Sequence, residues 1–345
     1  MFAALIDKLT RHEDLTVEEA GAAMEEVMAG RAAPAALAGL LVALAMKGER
    51  PAEIVGLASA MRAHAVPLSQ PMPGVFDTCG TGGDRAGTFN ISTCGALVLA
   101  ACGVPVAKHG NRSVSSLSGS ADVLEALGVR VAAPPPVVER CLAEARIGFF
   151  FAPTFHPSMR HAAETRRALG VRTAFNLLGP LTNPAGARRQ LVGVPRPEHT
   201  ELIARALLLL GSERVWVVHG ADGIDEMSTT GYTKISEGRA GAVNTFYLHP
   251  RDVGLPKASP GALRGGTAED NARTIIQILE GKRGPCRDVV LLNAGSALFV
   301  AGAAASVEEG IRRAAAAIDE GHARRTLDRL VALSASEPRA VEAGA

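Results

Sequence analysis

The chain has 345 residues, of which 47% are hydrophobic and 21% are charged, a balance typical of a globular protein with a sizeable core. Its formal net charge is +1, so no global charge steers the protein toward nucleic acid or an anionic membrane. The five cysteines form no C-x-x-C pair, which argues against a disulfide framework or a structural zinc site and predicts a cytoplasmic protein.

Residues 1–70 predict a helical domain. Their apolar residues recur with the spacing of one helix face, beginning with Phe2, Leu5, Ile6 and Leu9. Pro34 and Pro51 stand where the first turn of a helix tolerates proline. The apolar stripes either fill an internal core or present a face to a partner subunit. Residues 67–74, with the sequence PLSQPMPG, predict a linker.

Beyond the linker the pattern changes to strands that alternate with helices. The predicted strands span residues 75–78, 104–107, 147–151, 190–194, 214–218 and 245–248. The predicted helices span residues 92–101, 121–127, 137–145, 198–210, 268–279, 288–300 and 307–318. This alternation predicts an α/β domain whose mostly parallel central sheet is covered by helices. The longest apolar stretch, residues 96–107, is broken by Gly103 and Pro105, so we expect no transmembrane helix.

A predicted helix at residues 158–169 and a loop at 178–184 interrupt the alternation. We assign residues 156–185 to the helical domain, which the chain then enters twice. The predicted fold is a small N-terminal helical domain, residues 1–70 with the return segment 156–185, and a larger α/β domain formed by residues 71–155 and 186–345.

Gly80, Gly82 and Gly83 lie in a loop that directly follows a predicted strand. Because glycine has no Cβ, such a loop brings backbone N–H groups close to an anion. A tight strand-to-helix turn that binds no ligand has the same composition. Residues 90–93 then open a helix, where Asn90 or Ser92 is either a helix cap or part of an anion site at the helix N-terminus.

A second polar cluster, Lys-His-Gly-Asn-Arg at residues 108–112, follows the next predicted strand. Ligands of open α/β sheets bind at the carboxyl ends of strands, so we expect this cluster to lie beside the glycine loop. Lys108 and Arg112 either bind a phosphorylated ligand there or are solvated surface charges. The serine-rich residues 113–120 are either a flexible connection or a loop that closes over phosphate oxygens.

Asp225 and Glu226 come after another predicted strand and a glycine turn. Two adjacent carboxylates suit Mg²⁺, which takes few protein carboxylates together with water and phosphate oxygens. Neighbouring acids are also common on an ordinary protein surface, so both interpretations stay open.

Arg166 and Arg167 lie on the predicted helix at residues 158–169. They are either solvated charges or available for the bidentate binding of a carboxylate that only arginine offers. His109 and His156 are weak candidates for acid–base groups, because a lone histidine is usually structural.

Taken together, these motifs resemble the anthranilate phosphoribosyltransferases. The matching segments are residues 80–84, 90–93, 108–112, 118–122, 178–184 and 225–226. Several independent motifs in the same order are far more specific than any one of them, and the resemblance runs from about residue 75 to residue 300. It implies a fold like that of nucleoside phosphorylases and phosphoribosyltransferases.

The resemblance also implies an activity. A cytoplasmic, Mg²⁺-dependent pentosyltransferase would join anthranilate to phosphoribosyl pyrophosphate in the second step of tryptophan biosynthesis from chorismate. It would form a homodimer through its N-terminal helical domain.

Individual residues receive roles from the same resemblance. The phosphoribosyl pyrophosphate site would contain Gly80, Gly82, Gly83, Asp84, Thr88, Asn90, Ile91, Ser92, Thr93, Lys108, His109, Gly110, Asn111, Arg112, Ser113, Val114, Ser115, Ser116 and Ser120. The anthranilate site would contain Gly80, His109, Asn111, Arg166 and Pro180. The metal ligands, direct or through water, would be Ser92, Asp225 and Glu226, and the catalytic groups Lys108 and Asp84. Leu117 departs from the family pattern, in which many relatives carry Lys, but every matched ligand position is intact.

Two other functions are open alternatives. A pyrimidine nucleoside phosphorylase shares the fold class and a glycine-rich phosphate loop, but it has no use for a magnesium pair at Asp225 and Glu226. A non-catalytic paralogue that binds nucleic acid would need a basic groove, which a net charge of +1 does not supply. We therefore expect small-molecule substrates and neither nucleic acid nor a membrane as a partner.

Overall fold

The computed structural model describes residues 1–84, 86–113 and 117–337, and within these ranges it contains seven strands and fifteen α-helices. The strands are β1 (Phe76–Gly80), β2 (Val106–Gly110), β3 (Ile147–Phe151), β4 (Arg189–Gly193), β5 (Arg214–Gly220), β6 (Thr233–Arg239) and β7 (Ala242–Leu248). They form one sheet in the order β3-β2-β1-β4-β5-β6-β7. Strands β1 to β5 are parallel and the β6–β7 hairpin is antiparallel, which confirms the predicted mostly parallel sheet.

Four helices precede the sheet: α1 (Phe2–Thr10), α2 (Val17–Met28), α3 (Pro34–Lys47) and α4 (Pro51–Ala63). Those between β1 and β4 are α5 (Ile91–Ala101), α6 (Ser120–Ala126), α7 (Pro135–Ala145), α8 (Ala152–Phe155), α9 (Arg160–Leu169) and α10 (Phe175–Leu178). Those after β4 are α11 (His199–Leu209), α12 (Ala268–Leu279), α13 (Pro285–Val300), α14 (Val307–Asp319) and α15 (His322–Ala335). The predicted combination of an N-terminal helical domain with an α/β domain is confirmed.

Two groups of buried apolar side chains hold these layers together. The larger group packs α5, α7, α13, α14 and α15 against one side of the sheet, with Phe76 and Leu298 fully buried in it. The second group runs from the N-terminal helices through α9 and α10 to α11, and it includes Val192 and Val217 of the sheet. Because α11 contacts both α4 and β5, the helical domain packs directly on the α/β domain.

The sequence analysis missed strand β6, helix α15 and the short helices α8 and α10, and it misjudged the end of strand β2. Strand β6 was missed because its sequence, TKISEGR, is largely polar; residues 240–241 join it to β7 with φ of +50° and +79°, as a two-residue hairpin turn requires. Helix α15 was missed although Ala323, Leu327 and Leu330 form a buried stripe on it. Strand β2 continues to Gly110 rather than ending at residue 107. Among the described residues, no helix has the length and apolar character needed to cross a membrane.

Candidate active site

The candidate site lies at the carboxyl edge of the sheet, where β1 stands between β2 and β4. The chain adds β2 and β3 on one side of β1 and then β4 and β5 on the other, which opens a crevice beyond the strand ends. Strands β1, β2, β4 and β5 end there in glycine, at Gly80, Gly110, Gly193 and Gly220. A Cβ atom on Gly80 or Gly193 would overlap Asp225, so these glycines permit the close approach of the segment after β5.

The glycine loop that follows β1 is held by neighbouring strand ends. Its Thr81 N–H donates to the Gly193 carbonyl at 2.9 Å, and its Gly82 N–H donates to Asp225 Oδ2 at 2.9 Å. Gly82 and Gly83 have φ angles of +67° and +77°, which favour glycine over other residues. The predicted need for glycine in this loop therefore has a conformational reason.

Asp225 and Glu226 connect this loop to α5. Glu226 Oε1 accepts a hydrogen bond from the Ser92 N–H at 3.1 Å, in the first turn of α5. Burial, reinforced by the neighbouring Asp225, raises the pKa of Glu226 to about 8. Burial, reinforced by Asp84, raises the pKa of Asp225 to about 7. The negative charges of the two carboxylates are therefore poorly compensated by neighbouring groups, and a cation beside them would stabilise their charged forms.

The donors at this point fit a magnesium ion. Among the residues that the structure describes, no group of three His, Cys, Asp or Glu side chains is placed to hold a metal by itself. Asp225, Glu226 and the Ser92 hydroxyl could supply only part of a coordination shell, all of it oxygen. Such a partial set leaves positions for water and phosphate oxygens, as Mg²⁺ prefers, and lacks the nitrogen and sulfur donors typical of zinc.

Lys108 is a buried strand residue, not a loop residue at the surface. Strand β2 continues through it because residues 108–110 pair with residues 149–151 of β3. The Lys108 side chain is 2% exposed, and its Nζ donates to the Thr78 carbonyl at 2.7 Å and to Ser92 Oγ at 3.4 Å. The interpretation of Lys108 as a solvated charge is therefore wrong, and its ammonium group lies beside the first turn of α5.

Asp77 is a buried residue of the site that the sequence analysis left without a role. Its Oδ1 accepts from the His109 N–H at 3.2 Å, and its Oδ2 accepts from Asn183 Nδ2 at 2.7 Å. Asn183 also donates to the Ala107 carbonyl at 2.8 Å, so β1, β2 and the loop after α10 are joined in one network. The sequence did show a carboxylate, Asp77, inside an otherwise apolar strand. It could not show the partners of this carboxylate, because they are distant in the chain.

Asn90 occupies the cap position immediately before the first turn of α5, but its side chain does not cap the helix and binds other partners. Its Nδ2 donates to the Ser118 carbonyl at 3.2 Å, and its Oδ1 accepts from Asn271 Nδ2 at 3.0 Å. Ile91 and Thr93 are buried behind it, and Thr93 Oγ1 has no partner among the described residues.

The segment after β2 is organised by ion pairs within the protein. Arg112 Nη1 lies 3.0 Å from Asp122 Oδ1 and 2.8 Å from Glu125 Oε2, so its guanidinium already has two carboxylate partners. Asn111 follows Gly110, and its carbonyl accepts from Ser120 Oγ at 3.3 Å. The Ser113 N–H donates to Asp122 at 3.0 Å. Three predicted site residues, Val114, Ser115 and Ser116, lie outside the described residues.

A second half of the site is formed by the return segment. Arg166 on α9 is partly buried, with its guanidinium carbon 5.1 Å from the centre of the Phe175 ring, and burial lowers its pKa. His109 Nδ1 lies 3.0 Å from the Gly179 carbonyl, and its ring centre is 5.2 Å from that of His156. Burial lowers the pKa of His109 to about 3, so the ring is neutral near pH 7. The next residue after Gly179, Pro180, is also buried.

Thr88 is held by a segment that the sequence did not connect with the site. It forms an antiparallel bridge with Arg264, and the Gly265 N–H donates to the Gly87 carbonyl at 2.8 Å. Opposed residues of an antiparallel pair lie on the same face, so Arg264 shares the face of Thr88. No local pattern around Arg264 indicated this contact, because it joins positions 176 residues apart.

Comparison with known proteins identifies the families that the chain resembles. Residues 72–324 match the "Glycosyl transferase family, a/b domain", and residues 3–65 match the "Glycosyl transferase family, helical bundle domain". Anthranilate phosphoribosyltransferase from Moorella thermoacetica is 53% identical over 332 residues, which cover 96% of this chain and 98% of the relative.

Solved structures show the same architecture. Anthranilate phosphoribosyltransferase from Thermus thermophilus superimposes with a TM-score of 0.91 at 46% identity, covering 96% of this chain and 99% of that one. The enzyme from Saccharomyces cerevisiae, in complex with phosphoribosyl pyrophosphate and Mg, superimposes with a TM-score of 0.89 at 27% identity, covering 97% and 98% of the two chains.

Proposed function

This chain belongs to the anthranilate phosphoribosyltransferases, and from that premise we propose which of its residues carry each part of the reaction. The protein transfers the 5-phosphoribosyl group of phosphoribosyl pyrophosphate to the amine of anthranilate and releases pyrophosphate, a step of tryptophan biosynthesis. One observation supports the assignment of the site most directly. Asp225 and Glu226 accept from the backbone of the glycine loop and of α5 respectively, so the two carboxylates, the glycine loop and the helix N-terminus meet at the point where we propose that metal and pyrophosphate bind.

We propose that the glycine loop and the start of α5 cradle the pyrophosphate group. Gly82 and Gly83 have left-handed backbone and no side chains, so an anion can approach the peptide groups of this loop closely. The remaining phosphoribosyl pyrophosphate contacts would come from Gly80, Asp84, Thr88, Asn90, Ile91, Ser92, Thr93, His109, Gly110, Asn111, Arg112, Ser113, Val114, Ser115, Ser116 and Ser120. Of these, Arg112 must exchange part of its pairing with Asp122 and Glu125 if it is to contact a phosphate.

Mg²⁺ is the cofactor of the reaction, and we propose that Ser92, Asp225 and Glu226 hold it directly or through water. When bound, the ion supplies positive charge for the pyrophosphate oxygens and so favours their departure. Burial, reinforced by Asp84 for Asp225 and by Asp225 for Glu226, raises their pKa values to about 7 and about 8, and both pKa values fall when a cation lies beside these carboxylates.

Lys108 and Asp84 act on the leaving group in this proposal. The bond between the anomeric carbon and the pyrophosphate oxygen breaks, and its electron pair leaves with pyrophosphate. Lys108 places a buried ammonium beside Ser92, where the developing negative charge is stabilised in the absence of water. Asp84, which interacts with Asp225, adds negative charge that favours the retention of a cation.

The return segment receives anthranilate. Arg166 would bind the anthranilate carboxylate with two parallel N–H donors, and Asn111, Gly80, His109 and Pro180 would line its path. The anthranilate amine is uncharged near neutral pH, so it attacks the anomeric carbon without a dedicated general base. It forms the new C–N bond and then releases one proton to solvent. A neutral His109 is compatible with an aromatic neighbour and adds no competing charge.

The test is a direct assay of the purified protein with anthranilate, phosphoribosyl pyrophosphate and Mg²⁺. Anthranilate fluorescence should fall with time, and a chelator should stop the decrease. A rate no faster than that of an enzyme-free control would contradict the assignment. The alternatives are not favoured, but each has its own signature: phosphorolysis of thymidine or uridine without Mg²⁺, or salt-sensitive binding of DNA.

We further propose a homodimer that forms through the helical domain. Helix α3 exposes Met46 at 80% and Val42 at 36%, although the leucines of the same helix are buried. Sedimentation should give twice the mass of one chain, and M46E with V42E should shift it to the mass of a monomer. An unchanged mass would exclude this face.

The domain boundaries stay part of the proposal: residues 1–70 with 156–185, and residues 71–155 with 186–345. The family matches at 3–65 and 72–324 support a boundary in the linker at 67–74. A cytoplasmic location is also proposed, since all five cysteines are free thiols, as expected in a reducing compartment.

A further inference from the structure

Arg172 reaches the glycine loop from the return segment, ninety residues away in the chain. It follows the end of α9, where Gly170 has a left-handed φ of +63° and turns the chain away from the helix axis. Its Nη1 donates to the Gly82 carbonyl at 2.8 Å. A guanidinium is always charged and holds a carbonyl more strongly than a neutral donor does.

The Gly82 residue is therefore held at both of its peptide groups. Its N–H donates to Asp225 Oδ2 at 2.9 Å, while its carbonyl accepts from Arg172 at 2.8 Å. Glycine alone would not define this geometry, because it populates positive and negative φ about equally. The two contacts select one orientation out of those that the backbone allows.

The orientation of the Gly82 carbonyl also sets the direction of the next donor. A peptide bond is planar and trans, so the Gly83 N–H points opposite to the Gly82 carbonyl. With the carbonyl directed to Arg172, the Gly83 N–H is directed away from it, and it makes no hydrogen bond within the described part of the chain. It remains available to an anion in the crevice.

Gly83 shows how closely the arginine is packed on the loop. A Cβ atom on Gly83 would overlap Arg172 Nη1, in addition to straining a backbone φ of +77°. Glycine at position 83 thus makes room for the guanidinium.

We propose that Arg172 is a positioning residue of the reaction: it holds the Gly82–Gly83 peptide so that the loop presents the Gly83 N–H to the pyrophosphate of the donor substrate. The proposal rests on the role assigned above to the glycine loop. Arg172 also lies six residues after Arg166, so one segment orders the donor loop and contacts the acceptor.

The experiment compares R172A with the wild type and with R167A. Arg167 is a matched control, because it lies on α9 in the same segment, carries the same charge and is exposed. We expect R172A to raise the KM for phosphoribosyl pyrophosphate roughly tenfold or more, the size of effect expected for a lost charge-assisted hydrogen bond. The KM for anthranilate should stay within about twofold, and R167A should match the wild type in both.

Rescue separates positioning from a general loss of structure. Free guanidinium at millimolar concentration should lower the KM of R172A for phosphoribosyl pyrophosphate, whereas equal concentrations of ammonium should not. R172Q, which keeps a polar side chain but shortens it, should behave like R172A and takes its place if R172A does not fold. A folded variant with an unchanged KM for phosphoribosyl pyrophosphate, an equal rise for both substrates, or no rescue would each overturn the proposal.

D225N, tested in parallel, distinguishes this inference from the proposed site. If D225N loses its response to magnesium while R172A keeps normal kinetics, the role proposed for Arg172 is wrong and the proposed metal site stands. If D225N keeps a normal response to magnesium, the proposed metal site is wrong, whatever R172A shows.

Discussion

The residues of the site fall into two groups with different chemistry. Asp225 and Glu226 accept hydrogen bonds from backbone N–H groups, and the buried Lys108 ammonium donates to the Thr78 carbonyl nearby, an arrangement that suits a metal and an oxyanion. Arg166 on the return segment lies over the Phe175 ring, and His109 on β2 faces the His156 ring, an aromatic environment that suits a planar acid. Substitutions in the two groups should therefore affect different substrates.

D225N is expected to weaken the response to Mg²⁺ far more than it weakens folding. The asparagine oxygen can still accept from the Gly82 N–H, so the loop keeps its contact while the metal loses a negative charge. The Mg²⁺ concentration for half-maximal rate should rise by roughly tenfold or more. D222N is the control, since Asp222 is exposed and contacts Thr230 instead. Identical magnesium titrations for D225N and the wild type would contradict a role for Asp225 in metal binding.

R166A is expected to raise the KM for anthranilate more than the KM for phosphoribosyl pyrophosphate. The physical reason is the loss of a carboxylate partner that Arg166 would provide from a partly buried position over Phe175. Steady-state kinetics with each substrate varied in turn measure the two KM values, with R167A as the control. Equal effects on both substrates would remove Arg166 from the anthranilate site.

At the scale of elements, the helical domain depends on a close crossing of α2 and α4. Gly56 of α4 lies against α2 so closely that a Cβ atom there would overlap the Val17 carbonyl and the Gly21 N. Gly21 faces the same crossing, but a Cβ atom on it would meet the Gly56 carbonyl at 3.6 Å, an ordinary contact. The two glycines therefore have different reasons to be present.

G56A should destabilise the protein, and G21A should not. Alanine gains about 1 kcal/mol over glycine in helix propensity, which favours both variants. At position 56 the overlap with backbone forces the helices apart, and overpacking of this kind costs about 1–3 kcal/mol or more. Thermal unfolding should show a lower Tm for G56A and an equal or higher Tm for G21A. The same Tm change in both variants would contradict the contact geometry.

At the scale of the molecule, the two halves of the site come from distant parts of one chain. The second core joins the N-terminal helices to α9, α10 and α11 and includes side chains of β4 and β5, so the return segment and these strands share one core. His156 lies at this junction, 4% exposed, and burial lowers its pKa to about 4. The folded, packed state therefore favours the neutral form of the His156 ring.

This burial predicts a loss of stability in acid. Above a pH of about 6.5 the imidazole of His156 is neutral in both the folded and the unfolded chain, so it contributes no pH dependence. Between a pH of about 6.5 and about 4 the unfolded chain takes up a proton that the folded protein excludes, so the free energy of unfolding falls as the pH falls. The slope from one such group approaches about 1.4 kcal/mol per pH unit.

Urea unfolding between a pH of about 7.5 and about 4.5 measures this effect. H156Q should flatten the slope of unfolding free energy against pH, whereas H322Q, at an exposed position on α15, should leave it unchanged. An unaltered slope in H156Q would assign the acid sensitivity to other groups.

Local patterns in the sequence were sufficient for the helical N-terminus, the alternation of strands and helices, and the identity and order of the site motifs. Each of these depends on neighbouring residues: periodicity for the helices, and glycine followed by a helix start for the anion loop. The motifs that follow Gly80 and Gly220 could then be predicted to lie at one edge of the sheet, because the carboxyl ends of parallel strands meet there.

Only the tertiary structure decided how the site residues are held. Lys108 was predicted in a loop, yet pairing with β3 extends the strand and buries it. The bonds from Asn183 to Asp77 and from Arg172 to Gly82 join positions 106 and 90 residues apart. The sequence therefore determined which chemical groups the protein carries. Packing decided which of them meet, because contacts between distant segments depend on the order of strands in the sheet and on the course of the return segment, which no local pattern encodes.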